Sequence, residues 1–292
     1  VVVDDITMGI NYVIRGDDHV NNSPRQMLIY QALGEPLPQY AHVPMILGPD
    51  RTRLSKRHGA TSVLAYRDMG YLPQALLNAL ARLGWSYGDQ EKFTQDELIE
   101  KFSLDRVGKA AGIFNAEKLL DLNAWYIRET PTADLIEPVL PFLEERGISD
   151  PDRGQLVQAL ETVKPRSRTL QDMAEGMDFY FRPPSSYDDK GDRKFLKPGV
   201  LGPLEEIRER LSHWEDFSEE GLESFFKAYL EEKEIKLGKV AQPLRVALTG
   251  RTASPGLFEV MTVLGKDRVL QRIDAVLRHI QGKKEQSGAQ VS

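Results

Sequence analysis

The chain has 292 residues, a net charge of −6 from 38 basic and 44 acidic side chains, 41% hydrophobic residues and no cysteine. The length allows two or three domains; the zero cysteine count excludes disulfides and cysteine-held metal and fits a cytoplasmic protein; and no apolar run approaches the ~20 residues of a membrane-crossing helix. Excess acid argues against broad, sequence-blind nucleic-acid binding, so any RNA contact must use local basic patches.

The chain opens in a strand-like Val1-Val2-Val3 rather than a secretory signal. Asp4 and Asp5 would point to opposite faces of such a strand, which makes them a poor metal pair. Tyr12-Val13-Ile14 reads as a short buried strand with polar Arg15-Gly16-Asp17-Asp18-His19 at its carboxyl end. Asn22 or Ser23 can cap a helix that has Pro24 in its first position and Gly34 just past its end. Val43 to Leu47 reads as the next apolar strand. Strand, helix, strand is the pattern of a doubly wound sheet, whose ligands sit outside the carboxyl ends of strands. Arg15 and the loop that follows Leu47 both fall at such ends.

That loop runs from Gly48-Pro49-Asp50 through Arg51-Thr52-Arg53-Leu54-Ser55-Lys56-Arg57-His58-Gly59. Its last nine residues carry four cations and no acid, and the flanking glycines and proline favour a loop. A lysine point charge, arginine forks and a serine hydroxyl together suit a polyphosphate, although most charge runs are solvated surface.

Beyond Gly59 the pattern turns helical. Leu72, Leu76, Leu77, Leu80 and Leu83 repeat at helical spacing up to Gly84. Thr94 with Glu97 makes a capping box for a helix through Phe102. Asn115 caps a helix through Arg128, Pro131 marks a break, and 132–146 form another amphipathic helix. From about residue 150 only helices are expected: 156–163, 170–181, 201–211, 222–230, 240–248, 256–264 and 268–280. Ser218 and Ser254 read as caps, and Pro255 fits a first helical position. Arg182 to Gly191 reads as a linker, and the polar segment from Gly282 to Ser292 is expected to be disordered.

Leu54-Ser55-Lys56-Arg57 resembles the "KMSKS" loop of class I aminoacyl-tRNA synthetases, in the variant of the glutamyl and glutaminyl enzymes. The surrounding text is similar to bacterial glutamyl-tRNA synthetases: Val2-Val3-Asp4-Asp5, Met8-Gly9-Ile10, Val13 to His19, Pro24-Arg25-Gln26, His42 to Asp50 and, far downstream, Gln242 to Gly250. The resemblance reaches to about Ile280. It implies a mostly α fold: the remnant of a Rossmann-like α/β catalytic domain over 1–60, a helical stem-contact domain over 61–130, and an all-helical anticodon-binding domain in two subdomains, 131–185 and 186–292. The helical tail resembles the bacterial glutamyl enzymes rather than the glutaminyl ones, whose anticodon domain is built of β-barrels. Nothing matches the family's "HIGH"-type motif, so the chain is expected to be a carboxy-terminal portion, incapable of full catalysis alone.

The resemblance also implies site residues. Lys56 would steady the ATP phosphates, with Ser55 and Arg57 assisting; Arg53 stands where many relatives have lysine, a fork in place of a point charge. The Ile46 backbone would meet adenine. Arg15 would bind the substrate glutamate, bordered by Asp18 and His19. Arg166, Arg245 and Ser254-Pro255-Gly256-Leu257-Phe258, where relatives carry Thr-Pro-Gly-Leu-Phe, would read the anticodon; Arg251 and Lys266 are generic RNA-backbone candidates. The implied partners are L-glutamate, ATP and tRNA(Glu), with Mg2+ accompanying ATP and no protein metal ligand assigned. A monomer is expected, with no membrane contact. Each residue also has a plainer reading: a solvated lysine at 56, a bridge from Arg15 to Asp17 or Asp18, a surface ion pair at Arg245, and an ordinary helix cap at 254–256. The rival reading of the whole is a tRNA-binding accessory module without ligase activity. Charging of tRNA(Gln) is left open, with the demanding guanidinium at 166 favouring an enzyme that discriminates.

Overall fold

The computed structural model describes residues 1–55, 57 and 62–289, with side chains described through residue 284. The fold is mostly helical and divides into two units, Val1–Glu129 and Thr130 onward.

Unit 1 begins with α1 (Val2–Thr7), where a strand was expected. The β preference of valine is a weak prior. It is overridden by Asp4 and Asp5 in the first turn, where carboxylates favour a helix start. β1 (Tyr12–Gly16), α2 (Ser23–Leu33) and β2 (Gln39–Val43) follow, and β1 pairs with β2 in parallel, Arg15 opposite His42. The order strand, helix, strand is the one expected from sequence, but the second strand lies over 39–43 rather than the expected 43–47. Asn22 is the helix N-cap but makes no side-chain capping bond, and Gly34 closes the helix in the left-handed region at φ 73°.

The single strand expected over Val43–Leu47 is in fact two. Val43 ends β2, and β3 (Ile46–Leu47) joins a different ladder, parallel to β4 (Gly112–Ile113). Pro44 lies between them and has no N–H to offer a continuing ladder.

The helices α3 (Val63–Asp68), α4 (Pro73–Arg82), α5 (Gln95–Lys101) and α6 (Ala116–Glu129) complete the unit. Tyr66, Tyr71, Leu76, Phe114 and Leu119 form one buried cluster, with Ile46 packed against it. Trp85, Phe93 and Leu98 form another. Two fully buried asparagines tie these layers: Asn123 Oδ1 accepts from Leu72 N at 2.8 Å, and Asn78 bonds to the 91–93 backbone. Asn115 Oδ1 accepts from Glu117 N and Lys118 N, the cap that sequence foretold.

The capping box of α5 is present, with Thr94 N donating to Glu97 Oε2 at 2.8 Å and Glu97 N to Thr94 Oγ1 at 3.1 Å. The Thr94 backbone bond first, then bonds from Lys101 and Gln90, hold the Glu97 carboxyl down at about 2. In an unfolded chain it titrates near 4.5. A depressed carboxyl stabilises the fold above its unfolded value, and that contribution is lost as pH falls from 4.5 towards 2. The stability advantage of the native chain over Glu97→Gln should therefore shrink across that window in acid-titrated unfolding experiments. A difference that stays constant with pH would contradict the assignment.

Unit 2 contains α7 (Thr132–Glu145), α8 (Arg153–Val163), α9 (Leu170–Phe181), α10 (Asp189–Phe195), α11 (Leu201–His213), α12 (Glu219–Lys233), α13 (Gly238–Thr249), α14 (Leu257–Leu264) and α15 (Lys266–Ala289). Ser218 Oγ caps α12 by accepting from Gly221 N at 3.0 Å. Three expectations are corrected. The segment 182–191 is not all linker, because Asp188 caps α10 and the helix starts at Asp189. The tail from Gly282 is helical as far as Ala289. Ser254 is not a cap: α14 starts at Leu257 with Gly256 as N-cap, its N–H bound by Glu259 Oε2 at 2.7 Å. Arg272, 5% exposed, donates from Nη1 to Leu248 O and from Nη2 to Arg182 O at 3.2 Å, closing the carboxyl ends of α13 and α9.

Candidate functional sites in the two units

In unit 1 the end of β1 and the start of α2 enclose Arg15. Its Nη1 donates to Gln26 Oε1 at 2.7 Å, Nη2 to Ser23 Oγ at 2.7 Å, and Nε to His42 Nε2 at 3.4 Å. Ser23 Oγ also lies 3.0 Å from His42 Nε2, and the guanidinium lies over the Tyr40 ring, 5.4 Å from its centroid. Among the described residues no carboxylate pairs with Arg15, so the expected alternative, a bridge to Asp17 or Asp18, is not formed. The guanidinium is thus held in place without a carboxylate among its partners, an arrangement suited to receiving a carboxylate from a ligand.

Asp18 and His19 lie in a single 3-10 turn, Asp17–Asn22, that follows β1. Asp18 faces His19 Nε2 at 3.9 Å and Arg53 Nη1 at 3.6 Å; His19 Nδ1 faces Asn22 Nδ2 at 3.2 Å. The Arg53 contact joins the end of β1 to the basic loop.

The loop folds back as a tight turn on β3. Gly48 N bonds to Thr52 O at 2.8 Å, Leu54 N to Ile46 O at 3.0 Å, and Leu47 bridges Arg53 in antiparallel fashion. Arg51 sits at φ 60°, which only a turn of this kind requires. Asp50 Oδ1 accepts from Thr52 N and Oγ1, while Arg57 Nη2 donates to Thr52 Oγ1 at 2.6 Å and Asp50 Oδ2 at 3.3 Å. Arg57 therefore braces the turn. Ile46 engages its carbonyl with Leu54 and packs its side chain on the core. Ser55 is half-buried. Lys56, the residue on which the sequence argument for phosphate binding leaned hardest, lies outside the described residues, as do His58 to Thr61. Among the described residues no group of three or more His, Asp or Glu side chains is gathered for a metal ion.

In unit 2 Arg245, on α13, is half-buried. Its Nη1 donates to Ser254 O at 3.2 Å, to Ser254 Oγ, and to Pro255 O at 2.7 Å. The surface ion pair considered from sequence is absent among the described residues. Burial first, and then the charge of Arg166, lowers the Arg245 pKa. Arg166 and Arg245 are 79 positions apart, 245 less 166, yet close enough to feel each other. Arg166 follows α8 in the 3-10 turn Lys164–Arg166 and is exposed.

The 254–258 segment divides. Ser254 and Pro255 face Arg245, and Gly256 gives its N–H to Glu259. The free N–H groups expected at this helix start thus exclude Gly256's own. Leu257 is buried at 7% exposure, which commits it to the core, and Phe258 is half-buried and stacked on Phe226 with centroids 5.3 Å apart. Arg251 binds Glu175 O and the Asp178 carboxylate, and Lys266 binds Trp214 O. Both of these generic RNA candidates therefore have structural work. Sequence reasoning missed Ser23, Gln26 and His42 as the cradle of Arg15, although each lies in or beside a stretch that carried the resemblance. It also missed Glu259, whose place three residues after Gly256 is an N3 capping signal.

The strand–helix–strand segment with its basic turn and the helical unit each match a known family. The family described as "tRNA synthetases class I (E and Q), catalytic domain" matches residues 1–121, and "Anticodon binding domain" matches 133–277. Together the two matches account for most of the chain, one over each unit. It is 54% identical over 282 residues to a protein named glutamate–tRNA ligase from Geobacter sulfurreducens and 58% over 280 residues to one from Syntrophobacter fumaroxidans, covering 96% of this chain and 60% of each relative. A crystal structure of a glutamate tRNA ligase from Elizabethkingia meningosepticum, in complex with its amino acid, superposes with a TM-score of 0.83 at 30% identity, covering 96% of this chain and 59% of that one. The chain thus spans about three-fifths of the length of the relatives it matches. Among the described residues no helix is long and apolar enough to cross a membrane.

Proposed function

We propose that this chain serves a glutamate–tRNA ligase, in which glutamate and ATP give glutamyl-adenylate and pyrophosphate, and the terminal ribose hydroxyl of tRNA(Glu) then takes the glutamyl group. The observation that carries the reading is Arg15: a guanidinium fixed by Gln26, Ser23 and His42 with no acid of its own. In this reading it binds a carboxylate of glutamate bidentately, with Asp18 and His19 at the pocket's edge. The high identity to proteins named glutamate–tRNA ligase supports that choice of amino acid.

The basic turn supplies the ATP side. Lys56 and Ser55 meet the phosphates, where positive charge stabilises the negative charge that develops as pyrophosphate leaves. Arg57 acts by bracing the turn through Asp50 and Thr52. Arg53, paired with Asp18, ties the ATP side to the glutamate side. The Ile46 backbone flanks the adenine. Residues 61–130 bear on the tRNA stem, and 131–185 with 186–292 form the anticodon-binding subdomains. Arg166, Arg245 and the 254–258 segment act there, with Leu257 and Gly256 contributing shape through the backbone. The ligase works as a monomer in the cytoplasm.

Charging of tRNA(Glu) with radiolabelled glutamate in the presence of ATP, by the whole protein that carries this chain and not by this portion alone, tests this reading. ATP-dependent acid-precipitable glutamyl-tRNA is the expected product. Intact tRNA binding with no charging would favour a binding module without ligase activity.

A further inference from the structure

We propose that Ser254 is a positioning residue for base selectivity: it locks one amino group of Arg245 so that the opposite edge of the guanidinium is presented to RNA. The inference rests on the anticodon-reading assignment of unit 2 given above. The geometry is lopsided. Nη1 has two hydrogens and three acceptors, namely Ser254 O, Ser254 Oγ and Pro255 O. Nε and Nη2 donate to no protein group among the described residues. The Nε–Nη2 edge of an arginine carries two parallel N–H donors. That pair fits a base edge with two adjacent acceptors, the match by which arginine discriminates between bases.

The Ser254 hydroxyl is placed to do both halves of this task. It accepts from Arg245 Nη1 and donates its own hydrogen to Pro255 O at 2.9 Å, so it also fixes the second carbonyl of the clamp. Downstream, Glu259 Oε2 holds Gly256 N at 2.7 Å and keeps the 254–256 backbone from swinging away. Arg166 adds to the requirement. After burial, the charge of Arg166 is the second influence felt at half-buried Arg245, and an electron-rich ligand at Arg245 would offset it. An unclamped Arg245 could turn away from Arg166; the clamp denies it that escape. Threonine at this position would keep the hydroxyl, whereas alanine removes it.

The test is equilibrium binding of in vitro transcribed tRNA(Glu) and its single-base anticodon variants to the full chain at one fixed salt concentration. The chains compared are native, Ser254→Ala, Ser254→Thr and Arg245→Ala. The readout is the ratio of cognate to variant affinity, which a merely structural role would not move. Ser254→Ala should cut this ratio about tenfold, or ~1.4 kcal/mol, with the thermal unfolding midpoint unchanged, and Ser254→Thr should restore it. Native selectivity in Ser254→Ala alongside lost selectivity in Arg245→Ala would overturn the clamp and leave the anticodon reading standing. Native selectivity in Arg245→Ala would overturn that reading and the clamp with it. Equal weakening of Ser254→Ala on every tRNA, with a shallower salt dependence, would mean a phosphate contact and would also overturn the proposal.

Discussion

Gly112→Ala is expected to cost unit 1 about 3 kcal/mol or more, the upper end of what overpacking usually costs. A Cβ at 112 would lie 2.0 Å from Leu83 O and 2.9 Å from Leu83 C. Both are backbone atoms, so no side chain can rotate out of the way. Either the turn after α4 or β4 must shift. β4 has little to resist with, since it pairs only Ile46 with Gly112 and Leu47 with Ile113. Its displacement would drag Phe114, whose N–H bonds to Leu47 O at 2.8 Å and whose ring belongs to the buried cluster with Tyr66 and Tyr71. The consequence reaches function, because β3 is the base of the basic turn. Amide hydrogen exchange should rise across 46–47 and 112–114 while α7 to α15 are unaffected. Gly202→Ala is the control: it lies in α11 with nothing within 4 Å of its Cβ position, and should be neutral or gain up to about 1 kcal/mol.

Asn78→Ala should be nearly as damaging, at roughly 3–5 kcal/mol from a cavity plus two stranded backbone groups. Asn78 is fully buried. Its Nδ2 donates to Glu91 O at 2.9 Å, and its Oδ1 accepts from Phe93 N at 2.8 Å and from Tyr126 OH at 3.1 Å. The single hydrogen of the Tyr126 hydroxyl is shared between Asn78 Oδ1 and the nearer Phe93 O, and burial raises the tyrosine pKa to about 12. Alanine would leave Glu91 O and Phe93 N without their side-chain partner. Tyr126→Phe keeps both backbone bonds to Asn78 and should cost only about 1 kcal/mol. Chemical unfolding of the two single variants and the double variant checks this. The double should cost less than the sum of the singles, because they share one network.

Much of the fold was legible in the sequence wherever a local signal had a local cause. Thr94 with Glu97, Asn115 and Ser218 each announced a helix end through hydrogen bonds made within four residues. The misreadings share a different cause. Val1 to Val3 looked like a strand by side-chain preference, but that preference is slight and the chain formed a helix. Val43 to Leu47 looked continuous because apolarity was counted and the missing N–H of Pro44 was not. Ser254 looked like a cap because caps are the commonest use of serine before proline, whereas its partner is nine residues upstream on another helix. Asn78 and Gly112 left no mark at all, since their constraints come from segments that only tertiary packing brings near.

The candidate site follows the same rule. Arg15 and the basic turn could be found because strand ends in a doubly wound sheet are where ligands bind. Which groups would hold Arg15 could not be read, since Gln26 and His42 reach it from 11 and 27 positions away. The approach of Arg166 to Arg245 is still more distant in sequence. It required the fold of α8, α13 and α14 to be known.

The central claim is that the helical unit reads the anticodon through these two arginines. Its most direct test is the affinity of the full chain for tRNA(Glu) and for single-base anticodon variants, with Arg166→Ala and Arg245→Ala beside the native protein at fixed salt. The account predicts a loss of about tenfold or more for variant tRNAs with the native chain, and a flattened response in each arginine variant. Equal binding of every tRNA by the native chain, or undiminished discrimination without Arg166 and without Arg245, would contradict it.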